Sequence, residues 1–259
     1  MSSAALSLLS WPAFDALLRG RMMPSDRVRL MVNWIAWQGL CAAVFGLSIG
    51  VYALSSRAEP DFRFLLADIV KMPLLLFFTS AVTIPSLYVF GALRGLRFSA
   101  REFAAMLMVA HTILAAVLGS LAPVVAFFAL TTISYSFMVV LTVIACSIAG
   151  ILGVRAFVRA MNEPPPEILA AADESTALGA ELPGESAPRG MFSRPVHVDK
   201  NAWQLLGWWV ALYIFVGIQM GWILRPFIGS PELPFILFRG KSGSMIESVL
   251  HHIHVLFGG

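Results

Sequence analysis

The sequence predicts an all-α fold: a polytopic integral membrane helical bundle of about five transmembrane helices, with interfacial or amphipathic helices beside them. Two observations predict it. Hydrophobic residues make up 58% of the 259 positions and charged residues only 13%, a balance outside the range of soluble domains that points to lipid as the solvent. The apolar residues also fall into five runs near the roughly 20 residues that cross a hydrocarbon core. Each run is apolar on every helix face, which argues against a soluble bundle.

Residues 1–29 form an N-terminal segment, "MSSAALSLLSWPAFDALLRGRMM" onward. It lacks the basic start and small-residue cleavage site of a signal peptide, and is expected to be a weakly amphipathic helix on the cytoplasmic face. Residues 30–160 hold four spans. The first, Leu30 to Leu54, carries Trp34 and Trp37 near its start, where aromatic rings favour the interface. The second runs from Met72 to Leu93, preceded by "DFRFLLADIVKM", which reads as the start of an interfacial helix. Asp68 and Lys71 are expected there, snorkelling to the interface. The third, Phe103 to Ala129, and the fourth, Ile133 to Val158, are joined so tightly that they form an antiparallel hairpin. Pro73, Pro85 and Pro123 are expected to kink or locally open these helices.

Residues 161–201 are rich in Pro, Ala, Glu and Ser and are expected to be a flexible cytoplasmic linker. The fifth span occupies 202–225. Residues 226–259 form a proline-broken apolar tail that ends in an amphipathic helix.

Loop charges set the expected orientation, since Lys and Arg are retained on the cytoplasmic side. Twelve fall in the N-terminal segment, the loop after span two and the segment around the linker, and six on the other side. The N-terminus is therefore expected in the cytoplasm and the C-terminus in the periplasm, most simply of a bacterial inner membrane. The basic residues need no nucleic acid to explain them.

Small residues recur at four-residue spacing at Gly46 and Gly50, at Ala145, Ala149 and Gly153, and at Gly217 and Gly221. This spacing puts them on single helix faces where backbones approach closely. Among the polar residues inside the spans, His111 and Gln219 stand out. His111 is expected to bond a neighbouring helix through one ring nitrogen, and Gln219 to act as interhelical glue.

Catalytic signatures are missing: the chain has no Walker loop, HExxH, GxSxG or CxxC. Cys41 and Cys146 read as packing residues. The run His251, His252, His254 has no acidic or cysteine partner at ligand spacing, so neither a metal nor another cofactor is expected.

The stretch "QMGWILRPFIGSPELPFILFRG" leaves the fifth span and meets three prolines without becoming polar. Its unpaired backbone groups exclude exposure to lipid, so it must lie at the interface or under protein. Arg225, Pro226, Phe227, Pro231, Pro234, Phe235, Phe238 and Arg239 are the expected partner-binding edge.

Together with "KMPLLLFFTSAVTIPSLYVFGALRG", the closing QxxWxLRPFxGSPxLPF-type motif resembles a group of uncharacterised bacterial polytopic membrane proteins. That resemblance spans most of the chain from the second span onward and implies an integral membrane fold without a known reaction. A looser likeness, of topology alone, is to the five-span Yip-type trafficking proteins.

The expectation that follows is a non-enzymatic structural or accessory subunit of a larger membrane assembly, with membrane lipids and other membrane subunits as partners. A small channel or transporter, and a lipid-organising protein, are the alternatives.

Overall fold

The computed structural model describes residues 10–19, 30–57, 60–93, 100–162, 200–224 and 245–258. Within them the chain is helical throughout, without strands: α1 (Trp11–Leu18), α2 (Met31–Ser55), α3 (Phe62–Leu93), α4 (Ala100–Thr131), α5 (Tyr135–Asn162), α6 (Lys200–Leu224) and α7 (Met245–Gly258). Four helices, α2 to α5, are long and apolar enough to cross a membrane. This suits a multi-pass membrane protein.

The distribution of side chains fits the same solvent. Large apolar groups such as Val44, Phe78, Phe127 and Ile148 face outward, while Gln38, Asp68, Thr83 and His111 are buried. Water would favour the reverse arrangement. In hydrocarbon, helix association rests on close packing and interhelical hydrogen bonds.

Packing centres on α2, whose most extensive contacts are with α4 and α3; α5 packs on α4, α6 on α3, and α7 on α5. The core cluster contains Phe45, Ile49 and Tyr52 of α2, Leu118 and Ala122 of α4, and Met138, Ala145 and Ala149 of α5. At one end Tyr52 donates to the Ile133 carbonyl (3.0 Å) and Ser55 to the Ala129 carbonyl (2.8 Å), fastening the α4–α5 turn to the end of α2. At the other end α1 lies against the bundle: Phe14 stacks on Trp37 at 4.2 Å, and Leu17 packs on Trp34, Met108 and Val109.

The glycine faces differ from one another. A Cβ on Gly46 would overlap the Asp68 carbonyl group, with its carbon at 2.8 Å, and one on Gly50 would sit 2.9 Å from the Leu65 Cα. Only glycine lets α2 and α3 approach this closely. Gly153 similarly admits Leu114 and the Ala110 carbonyl of α4. Among the described residues Gly217, by contrast, would meet nothing within 4 Å, and Gly221 would meet Leu75 at 3.9 Å. Among the described residues, α6 therefore leans on α3 without a close backbone contact at these two positions.

Two boundaries also shift, and a proline stays within its helix. No separate interfacial helix precedes the second span, since α3 runs unbroken from Phe62 to Leu93 through Pro73 and Pro85. Pro123 likewise lies inside a continuous α4. Ile133, predicted to open the fourth span, stands in the turn and is exposed.

The contrast between the glycines is testable. Gly46→Ala is expected to lower stability in detergent by about 1–3 kcal/mol through overpacking, while Gly217→Ala leaves it unchanged. Equal effects in thermal unfolding would contradict the assigned α2–α3 contact.

Candidate functional site

The polar interior is built mainly by α2, α3 and α4. Their register follows from side-chain contacts. Gly46 lies against Asp68 and Met72 while Gly39 lies against Phe77, so α2 and α3 run antiparallel. Gly119 lies against Cys41 and Thr112 donates to the Trp34 carbonyl (3.2 Å), so α2 and α4 run parallel. This register brings Trp34 level with Thr83 and Thr112, and Gln38 level with Thr79. All five are buried.

The hydroxyls of this layer first serve their own helices. Thr79 donates to the Leu75 carbonyl, Ser80 to Leu76, Thr83 to Thr79 and Thr112 to Met108, at 2.7–2.9 Å. Such back-bonding keeps a hydroxyl donor satisfied without water and leaves its oxygen able to accept. Around Pro85, whose nitrogen cannot donate, Ser86 also turns back onto the Thr83 carbonyl (2.8 Å).

His111 is fully buried on α4. Its Nδ1 lies 2.9 Å from the Leu107 carbonyl, which can only accept, so Nδ1 carries the proton. In the neutral ring Nε2 is then the acceptor, and the Tyr213 hydroxyl donates to it from α6 at 3.0 Å. The rings meet edge to face at 5.5 Å. One hydrogen bond thus ties α6 to the centre of the bundle, through a tyrosine the sequence reading did not single out.

Asp68 and Lys71 depart from expectation. They do not snorkel: Asp68 is fully buried and Lys71 only 5% exposed, within the part of α3 that packs on Gly46 and Gly50. The physical reason is the length of α3. Because the helix starts at Phe62, both charges enter the packed interface instead of preceding it, and they interact electrostatically three residues apart. Buried ionisable groups in a span mark functional positions by default.

No family model, curated protein or solved structure matches this chain. The site is therefore read from its own geometry.

The remaining predicted residues are scattered. Gln219 is exposed on α6, in line with Leu212 and Phe215, so it does not join the interior. Gly46, Gly50, Ala145, Ala149 and Gly153 are engaged between helices. The predicted edge of Arg225, Pro226, Phe227, Pro231, Pro234, Phe235, Phe238 and Arg239 lies outside the described residues, as do 163–199 of the predicted linker. Among the described residues, no three His, Cys, Asp or Glu side chains gather into a metal-holding group.

Helix α7 carries a second, peripheral contact. His252 Nδ1 lies 3.0 Å from the Ser136 hydroxyl, and its ring meets Tyr135 edge to face, which seats α7 on the start of α5. Burial, and secondly the neighbouring His251, hold His252 below its ordinary pKa of 6.5. The depressed value means that the docked form favours neutral imidazole. This preference contributes stability to the docked form that is fully present above the ordinary value and is lost as pH falls through the depressed one.

Two outcomes are expected. A double-mutant cycle on His111→Leu and Tyr213→Phe should give a coupling of about 0.6 kcal/mol, and not above about 1.7; zero coupling would contradict the hydrogen bond. Hydrogen exchange in α7, corrected for intrinsic rates, should accelerate between pH 7.5 and pH 5.5 in the native chain, and His252→Asn should remove that pH dependence.

Proposed function

We propose that this chain is a non-enzymatic, five-span integral membrane protein, with α6 as the fifth span, that serves as a structural or accessory subunit of a larger membrane assembly. In this reading it sits in a bacterial inner membrane with its N-terminus in the cytoplasm and its C-terminus in the periplasm, following the distribution of basic residues.

The observation that carries the reading is the exposed amide of Gln219. It shares the outward face of α6 with Leu212 and Phe215, at the three- and four-residue spacing of one helix face. An amide turned toward hydrocarbon leaves its donors and acceptor without partners, and a facing helix that hydrogen-bonds it is the usual solution among membrane proteins. A membrane helix of another subunit is the partner this chemistry fits. The apolar segment that follows α6, from Arg225 to Arg239, is proposed as the extension of the same contact.

The test is extraction of the native protein in mild detergent, with identification of everything that travels with it. A stable set of other membrane subunits is expected, and Gln219→Leu should weaken their recovery by about 3- to 18-fold, the loss of one interhelical hydrogen bond, at unchanged expression. A lone monomer or a homo-oligomer would refute the accessory role.

A further inference from the structure

Helix α7 divides its surface into three faces. Ser248, Val249, His252 and Leu256 are half-buried and turn toward the bundle, where His252 meets Ser136 and Tyr135. Ile246, Leu250, Ile253 and Phe257 are exposed and follow one another at the three- and four-residue spacing of a single helix face. Glu247, His251 and His254, also exposed, repeat that spacing one residue on. They form a polar face about 100° round the helix from the apolar one. Val255 is the exception, an apolar residue exposed at the edge between the polar and docked faces.

Each face calls for different surroundings. The polar row excludes immersion in hydrocarbon, where the Glu247 carboxylate would be costly, and the contiguous apolar row is ill suited to water. The place of the docking contact says which surroundings meet both. His252 lies midway along α7 and is seated on the first two residues of α5, directly after the turn that is fastened to the end of α2. There α2 and α4 end and α5 begins, all three long enough to cross a membrane, so hydrocarbon gives way to water at this level. The apolar row also continues the outward-facing apolar side chains at this end of the bundle, Phe127 and Leu130 of α4. Helix α7 carries no Lys or Arg, so its hold on a bilayer depends on apolar burial and not on anionic headgroups.

We propose that α7 is an interfacial helix that binds phospholipid acyl chains. Ile246, Leu250, Ile253 and Phe257 enter the boundary of the hydrocarbon, Glu247, His251 and His254 face the water, and the contact of His252 with α5 holds the helix at that depth. The proposal is independent of the accessory-subunit reading, because it needs only this chain and a bilayer.

The experiment uses the purified full-length protein in phosphatidylcholine vesicles. In a Cys41→Ser, Cys146→Ser background, a spin label is placed at one introduced cysteine at a time. Labels at Leu250→Cys and Ile253→Cys are expected to relax faster with oxygen, which concentrates in hydrocarbon, than with a water-soluble nickel chelate. Labels at His251→Cys and His254→Cys are expected to show the reverse, and adding phosphatidylglycerol is expected to leave the contrast unchanged. Nickel relaxation at all four positions would place the helix in water. Protection from both reagents at 250 and 253 would mean that protein, a second copy or another part of the chain, covers the apolar row. A contrast seen only with phosphatidylglycerol would assign the contact to anionic headgroups. Each of these three results overturns the proposal. Should the cysteine variants fail to fold, the unsubstituted protein decides, in vesicles of a phospholipid with a photoreactive group in its acyl chain. Attachment to Leu250, Ile253 or Phe257 sustains the proposal, and labelling of α2 to α5 without α7 overturns it.

Discussion

The contact of α2 with the backbone of α3 at Asp68 sets the geometry of much of the bundle. Gly46 and Gly50 present no side chain of their own, so the Asp68 carbonyl and the Leu65 Cα of α3 come within backbone contact of α2, and backbone atoms cannot adjust as side chains do. That fixed approach determines which residues stand level. It buries the Asp68 and Lys71 charges, and further along it brings the Trp34–Gln38 face opposite the hydroxyl-bearing stretch of α3. In hydrocarbon, where apolar burial drives little association, a contact of this type is among the few forces that can choose a register.

The polar groups divide by how their hydrogen bonds are met. Thr79, Ser80, Thr83 and Thr112 are satisfied within their own helices, so they fill a polar layer without demanding a partner. His111 needs one partner from outside and finds it in Tyr213. Gln38 and Trp34 meet none among the described residues, and Gln219 looks outward.

Much of the fold was legible from composition and run length, because a membrane imposes a helix length that can be counted. The helical class and the α4–α5 hairpin follow from such counting, and the helices at Trp11–Leu18 and Met245–Gly258 from amphipathic patterning. The interior was less legible. Asp68 and Lys71 look like the polar lip of a span because two charges precede an apolar run, and although Asp61–Met72 reads as helical, nothing local reveals that it is continuous with the span from Phe62 onward. Gln38 was overlooked because one amide in a greasy run carries no periodic signal. Tyr213 could have been sought as a partner for His111, but the pairing joins residues 102 apart. Gly217 shows the converse: its spacing from Gly221 suits close packing, yet spacing does not say whether a neighbour is there, and none stands within 4 Å among the described residues.

The fastening of the α4–α5 turn bears on how the chain is built. Two carbonyls at the hairpin tip, those of Ala129 and Ile133, are bonded by side chains made 74 and 81 residues earlier. During synthesis the donors on α2 are therefore already in place when the tip emerges, and the hairpin meets a prepared docking post instead of bare lipid. The order in which the ribosome delivers the helices is also the order in which their exposed backbone groups can be relieved. A circular permutant that moved α2 behind α5 would keep every contact yet lose that sequence of events.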